Sequence, residues 1–286
     1  MNAHAQAAVP SLPALGIIAG SGELPRVLIQ ACLDTGRPYF VLALEETAEE
    51  ATATLAGTHY AVIRFGAIGK AFDILRKHQV RELVMAGRVT RPRIASIRPD
   101  LKGAKLLARI GTQLLSGDNE LLSNIVTFLE EEGFRVAGAE DVVRDLLTPE
   151  GMIGSIYPDK RAQSDIETGA RMARAVGALD IGQAVMVHNG IILGVEAAEG
   201  TDGLISRCAL LRPEEKGGVL VKVKKPQQER RVDLPTIGVE TVERLAECGF
   251  AGVAVEAGAS LILNRREVAR RADALGVFVI GFSILE

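Results

Sequence analysis

Short apolar runs alternating with amphipathic stretches organise the first half of this chain. LGIIAG (15–20) has the pattern of a buried strand, SGELP makes a Gly-rich turn, and RVLIQACLDTG (26–36) carries helical spacing that stops at Gly36. A second strand is predicted in PYFVLALEE (38–46), a helix in AIGKAFDILRKHQV (67–80) and a strand in RELVMAG (81–87). Two amphipathic helices follow around 101–116 and 119–132, and a strand returns in FRVAGAEDVV (134–143). Strands alternating with helices predict an α/β domain over about 14–148 with a Rossmann-like, mostly parallel sheet.

LTPEGMIGSIYPDKRAQSD (147–165) has no clear period and is rich in Gly, Pro and polar residues, which predicts a linker over 149–162. A second α/β domain, with a mixed sheet, is predicted over 163–286. Its clearest local signal is QAVMVHNGIILGVEAAEG (183–200): Asn189-Gly190 between two β-rich runs is the dipeptide of a type I′ hairpin, whose two central residues need positive φ. TDGLISRCALL (201–211) then starts a helix, with Thr201 or Asp202 as its expected N-cap. Strands in 217–226, 252–264 and 277–284 alternate with helices in 239–249 and 266–276. Residues 1–13 read as a disordered leader.

Composition narrows the function classes. The chain has 286 residues, 48% of them hydrophobic, and a net charge of −3, so it shows no global attraction to nucleic acid, and no nucleic-acid partner is expected. Cys32, Cys208 and Cys248 are far apart and show no metal-ligand spacing, which argues against a disulfide framework or zinc site and fits a reducing cytoplasm. No apolar stretch reaches the roughly 18–20 residues of a membrane span, so any membrane contact is peripheral.

Four stretches carry candidate chemistry. In GSGELP, Gly20, Ser21 and Gly22 precede a helix and can cradle a phosphate, although Pro25 stands where a dinucleotide fingerprint has its third glycine. The segment 88–109 holds Arg88, Arg91, Arg93, Arg98, Lys102, Lys105 and Arg109 against Asp100 alone, a local basic excess suited to a phosphorylated ligand or an anionic lipid surface. VEAAEGTD places Glu196, Glu199 and Asp202 within seven residues around Gly200, and acids gathered this closely repel unless a cation compensates them. A Mg²⁺ ion held by one or two carboxylates and substrate phosphates is one answer, and surface glutamates with a helix cap are the other. Finally, VKVKKPQQERRVDLPTIG (221–238) sets Lys222, Lys224, Lys225, Arg230 and Arg231 beside Gln228, Glu229 and Asp233, so that cations able to neutralise phosphate adjoin a carboxylate able to take a proton from water.

These residues resemble a known family, the LpxI-type UDP-2,3-diacylglucosamine pyrophosphatases of lipid A biosynthesis. The resemblance runs from about Leu15 to Gly281 through IAGSGELP, GRVTRP, GD-x-x-LL, DIGQAV, VEAAEGTD, KPQQERRVDLPTIG and VEAGASLIL, in that order. Two departures stand out: the family usually has Gly-Asp-Asp where this chain has Asp118-Asn119, and Gln-Asp where it has Gln228-Glu229.

The resemblance implies Mg²⁺-dependent hydrolysis of UDP-2,3-diacylglucosamine to UMP and 2,3-diacylglucosamine 1-phosphate, with water attacking the α-phosphorus. The implied location is the cytoplasmic face of the inner membrane, peripherally bound, and a homodimer is left open. With the stretches above, it gives Asp233, Asp202 and Glu199 as catalytic acids, these three with Glu196 as metal ligands, and Gly20, Ser21, Gly22, Arg88, Arg91, Thr201, Lys225, Gln228 and Arg231 as substrate contacts. Two competing readings are an NAD-dependent oxidoreductase built on GSGELP and a glycolipid-binding protein without catalysis.

Overall fold

A computed structural model describes residues 12–89, 97–111, 118–211 and 217–284. The leader expected over 1–13 falls almost entirely outside these residues, as does Arg91. The chain forms two compact units, one of residues 1–116 with 121–142 and the other of residues 117–120 with 143–286.

The first unit is built on β1 (Ala14–Ala19), α1 (Leu24–Thr35), β2 (Tyr39–Leu44), α2 (Glu50–Ala56), β3 (Tyr60–Ile63), α3 (Ile68–Lys77) and β4 (Val80–Ala86). It continues through α4 (Leu101–Ile110), α5 (Asp118–Glu131), β5 (Arg135–Ala137) and α6 (Ala139–Val142). The five strands form a parallel sheet in the order β3-β2-β1-β4-β5, the parallel sheet that the alternating apolar pattern predicts, with α2 and the edge strand β3 added where the pattern gave no element. Leu15, Ile17, Val41, Leu83 and Val84 are fully buried, as expected of parallel strands covered on both faces.

The second unit contains β6 (Gly151–Met152), α7 (Lys160–Ala178), β7 (Ala184–His188), β8 (Ile191–Val195), α8 (Gly200–Ala209) and β9 (Val219–Lys222). After these come β10 (Thr236–Ile237), α9 (Val239–Glu247), β11 (Gly252–Glu256), β12 (Leu261–Ile262), α10 (Arg265–Leu275) and β13 (Phe278–Phe282). Its main sheet has the order β6-β13-β11-β9-β7-β8, with β9, β11 and β13 parallel and the outer strands antiparallel, while β10 and β12 form a small parallel pair. One face packs Val185, Val187, Val219 and Val221 against Ile166 and Ala173 of α7. The other packs Met186, Leu220, Val253 and Val255 against α8, α9 and α10 through Leu204, Ile205, Leu245 and Val268.

The hairpin forms as its dipeptide predicts. Asn189 and Gly190 adopt φ of 51° and 76°, and β7 and β8 pair antiparallel across them. The buried Asp165 of α7 accepts both turn amides, Asn189 N–H at 2.9 Å and Gly190 N–H at 2.6 Å, which ties the hairpin to the helix. Residues 149–162 are not a free linker: β6 pairs with β13, Ile153 is buried in the core, and Asp159 caps α7 by accepting from Ala162 N–H at 2.8 Å. A two-residue strand is too short to show a period, which is why the sequence pattern misses it.

The approach of α7 to the sheet depends on Gly169, where a Cβ would lie 2.5 Å from Val221 Cγ2. Val221 is stiff at χ1 and cannot swing aside. Gly169→Leu is expected to destabilise the protein by about 1–3 kcal/mol through overpacking, seen as a lower denaturant midpoint with an unchanged slope. An unchanged midpoint would show that the helix has room to lift.

Candidate active site

In the first unit, Gly20, Ser21, Gly22 and Arg88 come together where the chain leaves β1 and β4. Ser21 N–H donates to Arg88 O at 2.9 Å and Arg88 N–H returns a bond to Ser21 O at 2.8 Å. Gly20 is required here, since a Cβ on it would sit 2.3 Å from Arg88 O. Sequence neighbours of β1 lie to one side and those of β4 to the other, so this is the switch point where open α/β sheets take ligands. The Gly22 amide already has an anionic partner: it donates to Glu49 Oε1 at 2.9 Å, and Arg26 pairs with Glu49 Oε2 at 3.0 Å.

The basic stretch that follows is partly neutralised. Lys102 pairs with Glu132, and Arg109 pairs with Glu131 of α5. Asp100 caps α4 by accepting from Gly103 N–H at 2.8 Å and also takes Gly69 N–H at the start of α3 at 2.7 Å. Despite partial desolvation, these backbone donors hold its carboxyl below the usual range. Asp118, which stands where the family pattern changes, opens α5, and its side chain lies outside the described residues.

The remaining candidates lie in the second unit, around the carboxyl ends of β9 and β8, and the three acids around Gly200 do not converge. Glu196 is buried and accepts from the Thr201 hydroxyl at 2.6 Å and from Gln183 N–H at 3.1 Å. Glu199 turns outward to Arg207, which donates to its Oε1 at 2.7 Å. That hydrogen bond holds the Glu199 carboxyl below the ordinary glutamate range. Asp202 has Arg244 of α9 at 3.6 Å. Nor does Thr201 cap α8: the N-cap is Glu199, without a side-chain cap bond, and the Thr201 hydroxyl is engaged by Glu196 and Lys222.

Asp233 lies in the segment between β9 and β10, where its Oδ2 accepts from Gln228 Nε2 at 2.6 Å. Among the described residues no three His, Cys, Asp or Glu side chains gather so that they could hold a metal ion. Glu196, Glu199, Asp202 and Asp233, each drawn to a different partner, do not fit a preformed magnesium cage as a set.

Several candidate substrate contacts are likewise engaged. Lys225 is buried with its ammonium on Asp180 Oδ1 at 2.7 Å, an oxygen that Asn119 Nδ2 also reaches at 2.7 Å. Arg231 grips Glu229 through Nε at 2.9 Å and Nη2 at 3.0 Å, and this pairing keeps Glu229 ionised. His188 is a buried neighbour of the turn, within 3.0 Å of Asn189 Nδ2.

Three residues bonded to the candidate positions escaped the site assignment. Lys222 is 4% exposed, donating to Thr201 Oγ1 at 2.9 Å and to Thr236 O at 3.2 Å. Its signal was present, since a lysine inside the apolar run VLVKV has no reason to be buried unless it is paired. Gln183 and Asp180 belong to DIGQAV, whose side chains announce nothing by spacing. Together the unit holds a buried chain of acids, amides and lysines at the end of a parallel strand, a candidate centre for hydrolysis of an anionic substrate.

Comparison with known proteins gives that class its family. Residues 14–146 match the LpxI N-terminal domain and residues 149–280 match the LpxI C-terminal domain. A protein of Caulobacter vibrioides (strain ATCC 19089 / CIP 103742 / CB 15), UDP-2,3-diacylglucosamine pyrophosphatase LpxI, is 40% identical over 273 residues, covering 93% of this chain and 96% of that protein. The chain belongs to the LpxI family.

The Thr201 hydroxyl satisfies a buried carboxylate and a buried ammonium at once. Thr201→Val is expected to take one hydrogen bond from each and to lower stability by about 1–3 kcal/mol, whereas Thr201→Ser retains most of it. Equal melting temperatures for the valine and wild-type proteins would remove the hydroxyl from this role.

Proposed function

We propose that this protein hydrolyses the pyrophosphate bond of UDP-2,3-diacylglucosamine in lipid A biosynthesis, releasing UMP and 2,3-diacylglucosamine 1-phosphate. It is a hydrolase of phosphoric anhydride bonds, the class named for its relative. The observation that carries the site reading is the place of Asp233 on the segment that leaves the carboxyl end of the central strand β9, its carboxylate held by Gln228, which also takes the backbone N–H of the buried Lys225. The NAD-dependent reading of GSGELP and the non-catalytic reading are both set aside by the family, whose named relative is a pyrophosphatase.

In this reading Asp233 accepts a proton from water as the water oxygen attacks the α-phosphorus. The bond from that phosphorus to the bridging oxygen breaks, and the bridging oxygen leaves with the sugar phosphate. Lys222 and Lys225 set a positive field where negative charge develops on the departing phosphate. In the first unit, the Gly22 amide can meet a phosphate only if an incoming anion displaces the Glu49 carboxylate from it.

Magnesium belongs to this reading through the substrate, whose phosphate oxygens are hard ligands that Mg²⁺ favours over an all-protein cage. No step is assigned to the ion. Among the described residues no helix is long and apolar enough to cross a membrane. A substrate with two acyl chains resides in a bilayer, so the protein works at the membrane surface, peripherally and on the cytoplasmic side where UMP is released.

Incubation in ¹⁸O-water should place the label in UMP, and label in the sugar phosphate instead would move the attack to the other phosphorus. Exhaustive chelation should abolish turnover and Mg²⁺ restore it, while full activity after chelation would remove the metal. Asp233→Ala is expected to lower kcat by about 10²–10⁴-fold while still binding substrate. A variant keeping more than about a tenth of kcat would exclude Asp233 as the base, leaving Asp202 as the next candidate.

A further inference from the structure

Gln228 was expected to bind substrate, yet both of its amide hydrogens are committed inside the protein. It is 6% exposed; Nε2 donates to Asp233 Oδ2 at 2.6 Å and to Gln183 Oε1 at 3.0 Å, and Oε1 accepts Lys225 N–H at 2.9 Å. A primary amide carries only two N–H donors. The orientation is fixed by its neighbours, because exchanging O and N would press Oε1 against a carboxylate and Nε2 against a backbone N–H.

The backbone of Gln183 is fixed in turn. Its main-chain carbonyl accepts Val223 N–H at 3.0 Å beside β9, and its main-chain N–H donates to Glu196 Oε2 at 3.1 Å. The two glutamines therefore join Asp233 to the buried Glu196–Thr201–Lys222 chain through hydrogen bonds alone. They bring no formal charge to the carboxylate they orient.

We propose that Gln228, braced by Gln183, is a positioning residue that aims the Asp233 carboxylate at the attacking water. The inference rests on the reading of Asp233 as the base. A carboxylate on a loop can rotate about χ1 and χ2, and losing about 1 Å of placement costs on the order of 10²-fold in rate. Gln228 removes that freedom with one short hydrogen bond, and Gln183 stops Gln228 from turning away. The role predicts a loss in kcat with little change in KM, since substrate never touches the amide.

The test compares isosteric variants in steady-state hydrolysis of UDP-2,3-diacylglucosamine, with thermal melting to check folding. Gln228→Ala and Gln228→Glu are each expected to lower kcat by about 10²-fold with KM within about threefold of wild type. Gln228→Glu sets an acceptor against Asp233 at neutral pH. When protonated, the introduced carboxyl becomes a donor again, so its kcat relative to wild type should rise as pH falls from about 8 to about 5. Gln228→Ala should show no such recovery, and a purely structural defect would not produce it either.

Gln183→Glu keeps an acceptor facing Gln228 and should retain at least about ten times the kcat of Gln183→Met, a comparison that stands even if a Gln228 variant fails to fold. The proposal is overturned if the Gln228 variants keep kcat within about threefold, if their loss falls on KM alone, or if the two Gln183 variants lose activity equally. Should Asp233→Ala remain active, the reading of the base fails instead, and the two failures are told apart by that single control.

Discussion

The second unit is organised around the cost of burying an ammonium ion. Lys222 ends a central strand in a setting with almost no access to water, and an unpaired charge there would cost several kcal/mol. Its needs place the surrounding elements: the first turn of α8 must supply the Thr201 hydroxyl, β10 must offer the Thr236 carbonyl, and Glu196 must follow β8 closely enough to balance the charge through that hydroxyl. The elements that carry Asp233, Gln228 and Lys225 hang between two of these fixed points. The precision of the site follows from the price of leaving Lys222 unmatched.

Most of the architecture was legible because it is written in local patterns. Apolar strand runs, helical spacing and Asn189-Gly190 act over a few residues, and each element they predict is present in the sheets. The edge strand Gly151–Met152 was not legible, since two residues on a sheet edge carry no periodicity and their pairing with β13 is a long-range event. The motifs located the site region for the same reason, since each is a compact run of residues.

The partnerships within that region were another matter. Glu196, Glu199 and Asp202 look like one cluster in sequence, but the helical start at Gly200 turns their side chains in different directions. Arg207 lies about two turns along α8 from Glu199, and Arg244 arrives from α9, a helix more than 40 residues later in the chain. Proximity along the chain measured density of charge and said nothing of direction. Gln183 and Gln228 were hidden for a simpler reason: an amide has no signature beyond being polar, and only the tertiary structure shows that its hydrogen bonds are all used.

The grip of Asp165 on the hairpin turn bears on the order of assembly. Its two acceptor bonds close loops of 24 and 25 residues, both within the contiguous segment from α7 to β8, so this piece can consolidate without waiting for the rest of the sheet. The pairing of β9 with β11 needs a longer loop that runs through the site segment and α9, and short closures outpace long ones. Helix α7 with its hairpin is thus poised to serve as the template onto which the parallel strands are added. In a chain emerging from the ribosome, it is also the first part of this unit able to hide its apolar face.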